Sequence, residues 1–192
     1  MRTFIALELP DAFVDEAAGM ARRLAEQIPG RFMKRESYHL TLAFIGELNP
    51  SDVSAAACAL DAACAGCDPI PVRSDGLGKF GRPHDATLWL GIAPHPTLLQ
   101  LATRVREELA ARDVPFDGKS FKPHLTLARR CRIPKGALPA LAFPEPDEAR
   151  TATLLKSTLT REGAVYKPLY SVELGANAPA DGNPDPGSAQ GA

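Results

Sequence analysis

Hydrophobic and polar positions along this chain alternate between a period of two and a period near 3.6. Residues 3–9, Thr-Phe-Ile-Ala-Leu-Glu-Leu, predict a strand. Pro10-Asp11 then opens a helix through about Gln27, with Phe13, Ala17, Met20 and Leu24 as its apolar stripe. Gly30 closes that unit. Arg31 to Lys34 reads as a short strand, and Tyr38 to Ile45 as a longer one ended by Gly46. Asn49-Pro50-Ser51-Asp52 starts a helix over 53–64. The second half echoes the first. Strands are expected at 70–74 and 86–92, around a glycine-rich loop over 76–85. Pro96 begins a helix to about Arg112, with Leu98, Leu101, Val105 and Leu109 on one face. Strands follow at 121–128, 151–158 and 165–174.

Two of these strands carry the same four residues, His39-Leu40-Thr41-Leu42 and His124-Leu125-Thr126-Leu127. Side chains alternate faces along a strand, so each His and Thr project together and the leucines project oppositely. With four His and ten Thr in 192 residues, chance supplies roughly 0.2 His-x-Thr triplets. One copy could be an amphipathic strand that happens to carry His; two copies with matching leucines are harder to explain that way. Two imidazoles in one cleft allow one to remove a proton while the other donates one. The threonine hydroxyls can donate to oxygens on which negative charge builds. Phosphate is the natural substrate for such a set. Arg129 follows on the opposite parity to His124 and Thr126, and reaches the cleft only if the strand ends or twists at Ala128. Its role there would be bidentate phosphate binding.

Composition narrows the picture. The formal net charge is −1, so phosphate binding must come from a local cluster and not from the field of the whole protein. Hydrophobic residues at 45% and charged ones at 23% suit a globular chain of one domain or two small lobes. No secretory segment or membrane-spanning run is visible, so a cytoplasmic protein without a membrane partner is expected. Cys58, Cys64, Cys67 and Cys131 include a Cys-x-x-Cys, but no second pair or nearby His completes a metal set. Cys58 and Cys64, in an Ala-rich segment, are read as small hydrophobes, the Cys-x-x-Cys as structural, and the reaction as free of metal and cofactor. His84 and His95, in Pro-rich stretches, are read as surface residues. Lys79, Phe80 and Arg82 could touch a bound substrate by charge and stacking, although a solvated loop is the plainer reading. Phe4 and Phe44 read first as core and second as cleft residues, and Trp89 as core. The last stretch, 176–192, lacks bulky apolar residues and is expected to be a disordered tail after a single domain over 1–175.

Taken with their flanks, the motifs carry a resemblance. The chain resembles the 2H phosphoesterase superfamily, named for two His-x-Thr/Ser-x motifs, and more narrowly the bacterial and archaeal RNA 2′,3′-cyclic phosphodiesterases, also called 2′-5′ RNA ligases. The matching segments are Arg2 to Pro10, His39 to Glu47, Leu88-Trp89-Leu90-Gly91, Phe121 to Arg129, and Ser157 with Tyr166-Lys167-Pro168-Leu169. The resemblance implies a bilobal α+β fold with pseudo-twofold symmetry. Two antiparallel sheets would face a central cleft, with helices packed outside. It implies hydrolysis of RNA 2′,3′-cyclic phosphate ends to 2′-phosphomonoesters, with reversible 2′-5′ ligation as a secondary expectation; a monomer is expected. His39 would donate a proton to the departing 3′ oxygen and His124 would activate water. Thr41, Thr126 and Arg129 would hold the phosphate. Ser37-Tyr38 departs from the Asn-Leu common in similar proteins, and Tyr38 is expected to point away from His39. The alternatives are a 2H phosphoesterase acting on small cyclic nucleotides or 2′-5′-linked oligonucleotides, and a catalytically idle module that binds RNA ends.

Overall fold

The computed structural model describes residues 1–135, 140–161 and 163–175. The expected tail over 176–192 lies outside the described residues. Strand β1 (Arg2–Glu8) leads into helix α1 (Asp11–Ala25), the two-residue strand β2 (Arg31–Phe32) and strand β3 (Leu40–Glu47). Helix α2 (Val53–Cys64), strands β4 (Ile70–Val72), β5 (Ser74–Arg82) and β6 (Asp85–Ile92), and helix α3 (Pro96–Ala110) follow. The chain then runs through β7 (His124–Cys131), β8 (Asp147–Ala149), β9 (Thr151–Thr160) and β10 (Gly163–Glu173).

Eight strands form one antiparallel sheet, in the order β10-β9-β1-β3-β7-β6-β5 with β2 beside β7. Strands β4 and β8 pair separately. The α+β class stands. The two expected sheets are the two halves of this strand order, joined where β3 meets β7 at the pair Leu40–Leu125. Both leucines are fully buried. Burial of a leucine is worth about 2 kcal/mol, and a one-residue slip would exchange leucines for His and Thr on the core face. Hydrophobic burial therefore holds the register that sets the histidines on the opposite face.

The helices cover the leucine face. The predicted stripes Phe13, Ala17, Met20 and Leu24 on α1, and Leu98, Leu101, Val105 and Leu109 on α3, are all buried in the main core with Leu40, Leu42, Leu125 and Leu127. A second, smaller apolar cluster lies apart from it, where Phe4, Ala6 and Leu155 pack with Phe44 and Tyr166. Strand β1 is therefore buried on both faces. The expected loop over 76–85 is instead most of β5 and its turn into β6. Its glycines have other duties. Gly81 has φ +82, and a Cβ on Gly78 would lie 2.1 Å from the Trp89 indole. Strand β7 begins at His124 rather than Phe121; Pro123, just before it, has no N–H to give to a ladder.

The four cysteines are free thiols. Burial pushes the Cys64 thiol up to about 12 and raises Cys67, the opposite of a reactive Cys-x-x-Cys. Cys58 alone is exposed. His84 is exposed, and His95 is the exposed N-cap of α3, accepting from the Thr97 N–H at 3.3 Å. No helix among the described residues is long and apolar enough to cross a membrane.

Candidate active site

The Leu40–Leu125 pair places the two motifs side by side and antiparallel. Extending that register by one residue each way sets Thr41 across from His124 and His39 across from Thr126. The leucines of both copies are buried and the His and Thr are half-buried, as the alternation predicts. The threonine hydroxyls make no hydrogen bond with the protein among the described residues.

Each imidazole is tethered in the same way. The Nδ1–H of His39 donates to the Ser37 carbonyl at 2.8 Å, and that of His124 to the Lys122 carbonyl at 2.6 Å. A carbonyl only accepts, so Nδ1 carries the proton in both rings and Nε2 is left for chemistry. Tyr38 is buried in the main core, pointing away from His39 as expected.

The surroundings differ. His39 lies in an aromatic triangle, 4.7 Å from the Phe4 ring and 5.0 Å from Tyr166, which stands edge-on at 89°. Phe4 thus serves both readings, buried and yet against the face that carries His39. His124 is flanked by Phe80 at 5.1 Å and Trp89 at 6.0 Å. The Lys122 ammonium lies 4.5 Å from the Trp89 ring. Phe80 therefore belongs to the site and not to a solvated loop, while Trp89 is both core and frame. Burial is the main force on His39 and pushes it down to about 4, although the Ser37 carbonyl pulls the other way. The charges of Arg129 and His124 lower it further. His124 is also lowered, first by burial against the pull of the Lys122 carbonyl, then by Arg129 and Lys122. Arg129 thus acts on both histidines, and a site that disfavours two imidazolium charges is primed for an anion.

Arg129 reaches this face through a backbone irregularity. Trp89 pairs with Thr126 but Leu88 pairs with Ala128, so β7 carries one extra residue there. Leu127 and Ala128 are consecutively buried, and parity reverses after them. A bulge of this kind re-aims the side chains that follow it. It puts Arg129 on the face of His124 and Thr126, which strict alternation forbids. Strand β3 has the same bulge at the same place: Ala6 pairs with Thr41 but Ile5 with Ala43, and Leu42 and Ala43 are consecutively buried. The next residue there is Phe44, its ring 5.0 Å beneath the Arg2 guanidinium. The repeat is thus five residues long, His-Leu-Thr-Leu-Ala, and the shared alanine was the available signal of the bulge. Tyr166 and Lys122 had no such local signal as site residues, because their places depend on strand pairing. No group of three or more His, Cys, Asp or Glu side chains among the described residues is arranged to hold a metal ion.

The profile of the 2′-5′ RNA ligase superfamily matches residues 9–159. A Thermotoga maritima protein named RNA 2′,3′-cyclic phosphodiesterase is 30% identical over 180 residues, which span 91% of this chain and 96% of that one. An Escherichia coli protein of the same name is 28% identical over 174 residues, 88% and 93% of the two chains. Among solved structures, TT0787 of Thermus thermophilus superimposes with a TM-score of 0.76 at 27% identity, covering 91% of this chain and 98% of that one. E. coli LigT complexed with 3′-AMP gives 0.75 at 27% identity, with the same coverage. The two bulged His-Leu-Thr-Leu-Ala strands are therefore one chain's version of a shared architecture, and the protein belongs to the 2′-5′ RNA ligase superfamily.

Proposed function

We propose that this protein hydrolyses RNA 2′,3′-cyclic phosphate ends to 2′-phosphomonoesters, without a metal, through residues 1–175 acting as one bilobal domain. The observation that carries this reading is the pair of identically tethered imidazoles on one sheet face. Each offers Nε2 beside a threonine hydroxyl with no protein hydrogen-bond partner among the described residues. His124 Nε2 takes a proton from water as its oxygen attacks phosphorus. The P–O3′ bond breaks, His39 Nε2–H gives its proton to O3′, and the phosphate stays on O2′. Thr41, Thr126 and Arg129 donate to the non-bridging oxygens, where charge accumulates in the transition state. Direct proton transfer of this kind contributes about 10²–10⁴-fold per catalytic group.

Burial holds His39 neutral in the free protein at pH 7, yet the donor must be protonated. The negative charge of the bound phosphate opposes both the burial and the repulsion by Arg129, and raises the imidazole toward neutrality. The donor and acceptor assignments follow the family resemblance, since the two motifs are locally identical. A 5′-hydroxyl in place of the attacking water would give a 2′-5′ linkage by the same steps.

The test is product analysis by mass spectrometry and end-labelling, using an RNA oligomer with a 2′,3′-cyclic end in excess EDTA. A 2′-phosphate end is expected. A 3′-phosphate product, dependence on added metal, or tight salt-sensitive binding without turnover would overturn the reading.

A further inference from the structure

A groove of about 480 Å³ opens beside His39, and the reaction above does not use most of it. Its lining includes Ser37, whose carbonyl tethers His39, and Tyr166, the ring edge-on to His39. The rest of its lining forms two unlike walls, drawn from different segments of the chain. One wall is cationic: Arg31, Lys34, Arg129 and Arg130, with Arg2 nearby, and none of its described lining residues is acidic. The other is the β9–β10 hairpin, which presents Leu159 at 70% exposure and Val165 at 56%.

Two details show that this charge is concentrated at a cost. Arg31 and Arg129 are direct cross-strand partners, and like charges set opposite each other destabilise a sheet. Arg130 holds a left-handed backbone at φ +54, uncommon for a residue with a Cβ. Neither Arg31, Arg129 nor Arg130 makes an ion pair with a carboxylate among the described residues. Arg31 also reaches across the groove, where a Cβ on Gly163 in the hairpin would lie 2.7 Å from its Nη2.

A cationic wall facing an apolar one matches the two sides of a nucleotide, with phosphate on one and sugar and base on the other. The position of the groove matches the polarity of the substrate. In an in-line displacement, the attacking water and O3′ lie on opposite sides of phosphorus. The ribose is therefore on the side of the group that protonates O3′, and the chain leads away from there through its 5′ phosphate. The groove adjoins His39, whereas the His124 side is framed by Phe80, Trp89 and Lys122.

We infer that this groove is a second phosphate subsite, gripping single-stranded RNA one nucleotide before the cyclic end and so selecting oligonucleotides over mononucleotides. The inference rests on the function proposed above, but the groove can be tested apart from turnover. The substrates are adenosine 2′,3′-cyclic phosphate and an oligoadenylate trimer with a 2′,3′-cyclic end. The ligands are 2′-AMP and the trimer ending in a 2′-phosphate, with binding followed by fluorescence of the single tryptophan.

The wild-type protein is expected to favour the trimer by about 10-fold or more in kcat/KM, mainly through KM. Arg31→Gln and Val165→Asp should each reduce that advantage about 10-fold, with the loss confined to the trimer and mirrored in its Kd. The trimer's affinity should also fall more steeply with salt than that of 2′-AMP. Equal losses on both substrates, or unchanged trimer binding in both variants, would overturn the subsite. Absence of turnover by the wild type would overturn the proposed reaction instead, while the binding comparison still decides the groove.

Discussion

The two halves of the site start from the same five residues and end in different environments. His39 and His124 share a tether through Nδ1, a threonine two residues on and a bulge at the following Leu-Ala. After the bulge one strand presents Phe44 and the other Arg129. One histidine is enclosed by Phe4 and Tyr166 from β1 and β10. The other stands against Phe80 and Trp89 from β5 and β6, with Lys122 over the indole. Local sequence thus supplies two equivalently tethered imidazoles, and neighbours from distant segments make them unequal. The more enclosed ring, His39, is the one pushed to about 4, and the basic groove opens on its side.

The largest effects should come from what the two halves share. His39→Ala and His124→Ala are each expected to lower kcat/KM by about 10³-fold with little change in Tm, and the double variant should be scarcely worse than either single one. A loss on only one side would mean that the pair does not act as donor and acceptor.

The next effects separate the halves at the residue after the bulge. Arg129→Gln should cost about 10²-fold in kcat/KM, comparable with Thr41→Ala or Thr126→Ala, whereas Phe44→Leu should cost only a few-fold. Similar losses at positions 44 and 129 would show that the bulge serves packing in both strands rather than phosphate binding in one.

The unequal burial of the histidines predicts an unequal dependence on pH. His39 titrates near 4 in the folded protein and near its ordinary 6.5 when unfolded. Between those values the unfolded chain binds a proton that the folded one does not, so stability falls as pH falls through this window. The full loss is up to about 3 kcal/mol. Thermal unfolding at pH 7 and pH 4.5 should show a smaller acid-induced drop in Tm for His39→Gln than for wild type. His124→Gln should have a lesser effect of the same sign, because burial lowers His124 too. NMR titration should find His39 below His124, with Arg129→Gln raising both. A His39 that titrates at or above His124 would reverse the order.

The smallest effect concerns one frame alone. A Cβ on Gly78 would strike the Trp89 indole at 2.1 Å, and Trp89 flanks only His124. Gly78→Ala should shift tryptophan emission, cost about 1–3 kcal/mol of stability by overpacking, and lower kcat a few-fold. The NMR shifts of His39 should stay in place; if they move with those of His124, the two frames are coupled through the sheet.

Much of the fold was legible because period and punctuation agree. The stripes of α1 and α3, the bounds of α2 and the core face of both motif strands follow from apolar spacing and from Pro and Gly at the ends. Strand β5 was not legible, because its glycines read as a loop until Trp89 is laid across Gly78. The reach of Arg129 was half legible. Parity argued against it, and only the Leu127-Ala128 bulge, foreshadowed by the alanine shared with the first copy, reverses that parity.

By itself the sequence determined the two strands, the common face of each His-x-Thr and the leucines that keep those strands from slipping. These are properties of a few adjacent residues and of burial. The tertiary structure alone decided that the strands meet at Leu40–Leu125, which rings enclose which imidazole, and that cations from β1, β2 and β7 gather beside a hairpin more than a hundred residues away from two of those strands. Such pairings between distant segments leave no local periodicity, since each depends on where the whole sheet places its strands.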